Sequence, residues 1–338
     1  MKKAFCVIIC ILLALFTCSC KSESTVSSKI ENQSTFIDAS ESSSQESSKN
    51  TETESVNESE TSQTTQAQPE TESKTNSQVA VETSSTVNSE LNYTINDPNN
   101  LRGLSTTRIG FSYGIAKNGV AHGQSLSNQQ IFDSFENVEA LAVDTKTQEK
   151  VMYLTFDNGY EYKNLTANIL DTLKGKKVKA AFFVTLSYVK QNPELVRRMI
   201  NEGHIVGNHS TTHPVFPGLT RTQMAQEVLI LDNYLKENFS YKSQYFRFPT
   251  GAYSECALEL VTSVGFRSIF WSVAYADWDK STQKGADYAF STVTSRFHPG
   301  AVILLHAVSQ DNADALGRII DQAHNEGYKF NTLDQYSY

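Results

Sequence analysis

The chain has 338 residues, of which 39% are hydrophobic and 20% charged, with a formal net charge of −8 at pH 7. The acidity is concentrated: residues 21–90 carry thirteen acids against four bases, so the residues that follow are close to neutral. That balance excludes a broad basic surface for nucleic acid and leaves about 250 residues, enough for one large folded domain.

The first twenty residues, MKKAFCVIICILLALFTCSC, open with two lysines, continue through an apolar run and end on small polar residues and cysteines. This is the pattern of an export signal, too short to span a membrane comfortably. Thr17-Cys18-Ser19-Cys20 resembles a bacterial lipobox, in which the cysteine after the cleavage site is lipidated. Cys20 follows the better small residue, Cys18 has Leu15 three places before it, and an ordinary signal with incidental cysteines is the alternative. Residues 21–95 are rich in Ser, Thr, Glu, Gln and Asn with little to bury, which predicts a disordered linker. A coil of this kind spans roughly 45 Å. Beyond the signal the only cysteine is Cys256, so no internal disulfide is expected. The expected location is outside the cytoplasmic membrane of a Gram-positive bacterium, lipid-anchored or secreted, as a monomer.

Residues 96–149 read as a polar lead-in to a domain at 150–338, where apolar runs alternate with helical periods. A strand is predicted over Val151 to Asp157, then a helix with Leu165, Ile169 and Leu173, then a strand over Val178 to Leu186. Pro193, Leu195, Val196, Met199 and Ile200 form a second helix, ended by Gly203 before a strand over Ile205 to Asn208. Thr220 and Gln223 suit a capping box ahead of Met224, Val228, Leu231 and Leu235. Strands follow at Tyr245 to Phe248, Ser268 to Val273 and Val302 to His306; a helix over Asp314 to Asn325 precedes a last strand over Tyr328 to Asn331. Such alternation implies an α/β fold with parallel strands. Asp157, His209, Arg247, Asp277 and His306 all fall at or just past the carboxyl end of a different strand, which favours a closed or nearly closed (β/α) barrel.

Several of these residues carry chemistry. His209 and His213, four apart in NHSTTHP, can aim two imidazoles at one point as in zinc sites, although the spacing alone also suits core or surface histidines. In TFDNG, Asp157 and Asn158 are either an Asx turn before Gly159 or oxygen donors to the same site. Arg247, before Pro249 and Gly251, can orient a carboxylate through paired NH donors. Asp277 stands beside Trp278 in WSVAYADWD, and His306 ends a nearly unbroken apolar strand, neither comfortable core nor open surface. Tyr160, Tyr253, Trp271 and Trp278 line a sugar groove or belong to the core. His298 reads as a turn residue, and His122, His204 and His324 have no evident partners.

Taken in order, TFDNG, HSTTH, RFPTG, AYADW and LLH resemble the five motifs of the polysaccharide deacetylases with a NodB homology domain, carbohydrate esterase family four. The resemblance covers about Lys150 to Tyr336. It extends, through YLTFDNGYE, EGHIVGNHS, FWSVAYADWD with QKG, and HPGAVILLHAVSQDNADAL, to the muramic-acid deacetylases that prepare muramic δ-lactam in spore cortex. What it implies is a distorted, NodB-type (β/α) barrel of about seven parallel strands that hydrolyses N-acetyl groups of peptidoglycan to amine and acetate. By the same resemblance, Asp157 is the general base and His306 the general acid, with Arg247 orienting Asp157 and Asp277 favouring the charged form of His306. His209, His213 and Asn158 hold a divalent metal, with zinc expected, and Thr250, Gly251, Tyr253 and Trp278 surround the sugar, the Thr250 NH lying near the oxyanion.

The sequence departs from this family at two positions. Asn158 stands where most members have a second aspartate. A neutral ligand set cancels none of the ion's charge, so weaker binding but a more acidic bound water is expected. Thr250 stands where the muramic branch often has a basic residue that faces the lactyl carboxylate. The second departure keeps open a deacetylase for N-acetylglucosamine in the wall, the first a wall-binding protein without activity.

Overall fold

The computed structural model describes residues 93–338; the export signal, the lipobox and the linker up to residue 92 lie outside them. In chain order the elements are β1 (Ile109–Gly110), α1 (Gly123–Ser134), β2 (Ala140–Leu141), β3 (Val151–Asn158), α2 (Leu165–Lys176), β4 (Ala181–Val184), α3 (Leu186–Gln191), α4 (Pro193–Asn201) and β5 (Ile205–Asn208). They continue with α5 (Arg221–Phe239), β6 (Tyr245–Phe246), β7 (Ala252–Tyr253), α6 (Glu255–Ser263), β8 (Arg267–Ile269), α7 (Ala286–Thr294), β9 (Ala301–His306), α8 (Gln310–Asn325) and β10 (Lys329–Asn331). The seven predicted strands are β3, β4, β5, β6, β8, β9 and β10, and every pairing among them is parallel. The sheet curls until Val273, beyond β8, bridges Ile303 of β9, which gives the distorted barrel expected. An eighth parallel strand, β2, comes from the lead-in and pairs with β8.

Alternation along the strands sorts side chains between two faces. Tyr153, Ala181, Phe183, Ile205, Tyr245, Ile269 and Val302 cluster on the inner face. Their neighbours Met152, Leu154, Phe156, Phe182, Val184 and Val206 pack outward against Ile169, Leu173, Leu316 and Ile319 of the helices. Space inside is short: a Cβ on Gly207 would come within 2.5 Å of the Phe183 ring. The lead-in belongs to the core as well, and so does the end of the expected linker: Phe132 and Ala140 of the one and Ile95 of the other join Phe246, Phe248, Leu258 and Val261 in a third cluster.

Several boundaries differ from the sequence reading for identifiable reasons. The strand expected to reach Leu186 stops at Val184 because the Thr185 hydroxyl caps α3, accepting from the Tyr188 NH at 3.2 Å. The last helix begins at Gln310 rather than Asp314, because Ser309 caps it through the Asn312 NH. Helices α1, α3, α6 and α7 escaped the reading; α1 has only a weak apolar stripe and α3 spans six residues. The Thr220–Gln223 capping box forms as expected, with the Thr220 NH donating to Gln223 Oε1 at 2.9 Å and the Gln223 NH to Thr220 Oγ1 at 3.2 Å. Thr220→Ala is therefore expected to cost about 1 kcal/mol of stability, measured as a lower denaturant midpoint at unchanged slope.

Candidate active site

The carboxyl ends of the strands open into a cavity of about 1000 Å³ whose lining includes Asp157, His209, His213, Thr250, Gly251 and His306. Strand parity explains the membership. Asp157 shares the inner face with Tyr153 and Thr155, and in the parallel register it lies directly beside His306 of β9. Arg247, two residues beyond Tyr245, points inward beneath them and is fully buried.

One guanidinium nitrogen of Arg247 donates to Asp157 Oδ1 at 2.8 Å; the other donors go to Thr155 Oγ1 and to the carbonyls of Ile269 and Phe270. The paired NH fork expected for the carboxylate is thus replaced by a single strong bond, because the guanidinium also ties β3 to the strand end after β8. Burial alone would raise the Asp157 carboxyl, but Arg247, with His306 adding to it, holds it below the usual carboxylate range. The same burial lowers Arg247, and Asp157 opposes it.

On the other flank, Asp277 is buried and bonds three donors: the His306 backbone NH at 2.8 Å, His306 Nδ1 at 2.7 Å and Asn312 Nδ2 at 2.5 Å. A ring nitrogen facing a carboxylate oxygen carries the hydrogen, which leaves Nε2 of His306 for the cleft. Burial pulls the His306 pKa down, yet the bond and charge of Asp277 outweigh it and the net shift is upward.

The two remaining imidazoles are neutral at pH 7. Burial depresses His209 to about 4 and lowers His213 as well. His209 Nδ1 lies 2.9 Å from the Arg247 carbonyl, so it is the protonated nitrogen. Its Nε2 lone pair faces the cleft, 3.6 Å from Asp157 Oδ2. The two rings sit 4.9 Å apart, His213 on a loop held by Glu227, which accepts from both the NH and the hydroxyl of Thr212. Neutral rings with one nitrogen fixed by a carbonyl are the form that binds a divalent ion, so this pair fits two ligand positions.

Asn158, implied as the third ligand, points the other way. It follows Asp157 on the strand, so its side chain falls on the outer face, where Nδ2 donates to Thr166 Oγ1 of α2 at 3.2 Å. Among the described residues, no three His, Cys, Asp or Glu side chains are grouped to enclose an ion. Tyr253, implied at the sugar, is buried at 2% exposure and packs edge-on against Phe132 and Phe270 instead. Tyr160, Trp271 and Trp278 do line the cleft, and Trp278 is 59% exposed at its mouth, 6.0 Å from the His306 ring. Thr250 holds a left-handed backbone, φ 57, and Gly251 lets Trp271 approach to where a Cβ would meet it at 2.9 Å.

Sequence reasoning missed Tyr113. It comes from the lead-in, lines the cleft and donates its hydroxyl to the Ala274 carbonyl at 2.8 Å; no local pattern marked it. Glu227 and Asn312 were missed too, since each acts only through a loop or side chain distant in sequence. The unassigned histidines have structural roles: His204 Nδ1 accepts from the Ala180 NH, His298 contacts Ser272 Oγ, and His122 caps α1.

Comparison with known proteins gives consistent matches. Residues 144–269 match the model of the family described as Polysaccharide deacetylase. The chain is 46% identical over 187 residues, 55% of its length, to an uncharacterised 30.6 kDa protein of Geobacillus stearothermophilus, covering 70% of that protein. It is 40% identical over 222 residues, 64% of its length, to the peptidoglycan-N-acetylmuramic acid deacetylase PdaA of Bacillus subtilis, covering 82% of it. The solved structure of Bacillus subtilis PdaA, a family 4 carbohydrate esterase, superposes with a TM-score of 0.63 at 36% identity, covering 68% of this chain and 97% of that one.

Proposed function

This chain belongs to the polysaccharide deacetylase family and is a hydrolase of amide-linked acetyl groups; from that premise we propose that it deacetylates N-acetylmuramic acid in peptidoglycan. The observation that carries the catalytic reading is the side-by-side placement of Asp157 and His306, each backed by a buried partner of opposite charge, Arg247 and Asp277. Likeness to PdaA supports the choice of sugar.

In this reading Asp157 takes a proton from the attacking water, and His306, in its charged form, gives one to the departing amine nitrogen. His209 and His213 would hold a divalent ion, zinc by the chemistry of the donors, which when bound would acidify the water and polarise the acetamide oxygen. Arg247 keeps Asp157 ionised and aimed. The Thr250 NH faces the oxyanion, and Gly251, Trp271, Tyr160 and Trp278 shape a wall for the sugar. The C–N bond breaks to leave a free 2-amine and acetate. That amine stands next to the lactyl carboxyl, as formation of a muramic δ-lactam in spore cortex requires. The export signal and lipobox support action at the outer face of the membrane, anchored through Cys18 or Cys20, with the linker reaching into the wall.

The reading predicts acetate release from peptide-stripped glycan strands containing muramic acid. It also predicts loss of that activity on chelation and recovery on adding zinc. Activity confined to chito-oligosaccharides would overturn the muramic assignment and favour an N-acetylglucosamine substrate, a reading that Thr250 motivates because it cannot pair a carboxylate. A silent wall-binding protein has no use for the buried Arg247–Asp157 and Asp277–His306 pairs.

A further inference from the structure

A muramic substrate brings a carboxylate next to the acetamide, and Thr250 offers it no charge. The geometry points to Lys280 as the residue that receives this carboxylate and so selects muramic acid over its neutral counterpart; the inference rests on the N-acetylmuramic reading above. Arg247 cannot take the role, being fully buried with its donors committed to Asp157, Thr155, Ile269 and Phe270. Lys280 is exposed, and its amine lies 5.4 Å from the ring centroid of Tyr160 and 4.9 Å from that of Tyr162. Tyr160 lines the cleft only three residues past Asp157, which limits their separation along the chain to about 10 Å. Two cation–π contacts hold the ammonium against Tyr160, a residue of the cleft lining, and Tyr162 without consuming its charge.

Among the described residues Lys280 has no carboxylate within ion-pair distance: each ion pair has other partners. Its neighbour Asp279 is turned back on Ser281, accepting from the NH at 2.8 Å and the hydroxyl at 2.6 Å. The loop that carries Lys280 is also anchored. Gln283 Nε2 donates to the Asp279 carbonyl at 3.0 Å while its Oε1 accepts from Ser309 Oγ at 2.7 Å, and Asp311 accepts from the NH groups of Lys284 and Gly285. The cation is therefore carried by an anchored loop two residues past Trp278, and it sits against Tyr160; Trp278 and Tyr160 both line the cleft.

The test compares the full protein with K280A and K280R on two substrates: peptide-stripped glycan strands with free lactyl carboxylates, and the same strands with those carboxylates converted to neutral amides. K280A is expected to raise KM on the acidic strands roughly fivefold, the worth of one rim ion pair, with the loss falling on KM rather than kcat and shrinking in high salt. On the amidated strands K280A and the wild type should agree, and K280R should recover most of the loss. An equal effect on both substrates, or none on either, overturns the assignment. If the wild type ignores both strands yet deacetylates N-acetylglucosamine oligomers, the muramic reading itself has failed, and that is visible before any variant is made.

Discussion

Asp157→Asn is expected to lower acetate release by about a thousandfold while leaving glycan binding in place. The amide matches the carboxylate in size and its oxygen can still accept from Arg247, so the cleft keeps its shape, but it can no longer take a proton from water. The substitution also leaves the buried guanidinium without a counter-charge. A stability loss of a few kcal/mol is therefore expected, and binding should be measured well below the melting temperature. The depressed carboxyl of Asp157 gives the wild type stability that is present above the unfolded value of about 3.9 and lost as pH falls through the lower folded value; the variant lacks this acid-side dependence. Binding retained with acetate release lost marks an enzyme. Acetate release retained at the wild-type rate would remove Asp157 from the base role.

The second large effect is expected at Asp277. In the wild type, Asp277 overcomes burial and raises the His306 pKa, so the charged, proton-donating form persists to higher pH. In Asp277→Asn the main opposition to burial is gone and only the charge of Asp157 still favours the proton, against Arg247, so the His306 pKa is expected to fall and activity near neutral pH to drop about a hundredfold. The alkaline limb of the kcat profile should move to lower pH, a displacement that a merely structural loss would not produce. Stability follows the same sign. The His306–Asp277 contribution is complete below the unfolded His value, is lost as pH rises through the raised folded one, and so the stability gap between wild type and variant should narrow toward alkaline pH. The variant also loses an acceptor for one of the three donors, His306 NH, His306 Nδ1 and Asn312 Nδ2, which adds a pH-independent cost. An unmoved alkaline limb would show that His306 is not the acid.

Much of this organisation was legible beforehand because it is local. The seven parallel strands announce themselves as β-branched and aromatic runs, and the polar residues at or just past the ends of five of them mark the carboxyl face. The capping box at Thr220 was readable from two residues because its hydrogen bonds lie within one helical turn. Where the reading failed, the deciding contact was remote or directional. Asn158 was assigned with Asp157 because they are adjacent in sequence, yet adjacency on a strand is what sends their side chains to opposite faces. Tyr253 looked like a groove residue beside Gly251, but β7 pairs with β1 of the lead-in and turns its ring into the Phe132–Phe270 cluster.

By itself, then, the sequence determined the seven parallel strands, four of the helices and the identity of most of the chemical groups, since hydrophobic period and motif order are properties of the chain. Only the tertiary structure decided which groups work as pairs. Curling of the sheet sets Asp157 beside His306, closes Arg247 beneath one and Asp277 behind the other, and brings Tyr113 to the cleft and Lys280 against Tyr160 of its lining from segments far apart in sequence. Burial then fixes their charges, because a desolvated ionisable group keeps the charge its neighbour stabilises and gives up the one it does not.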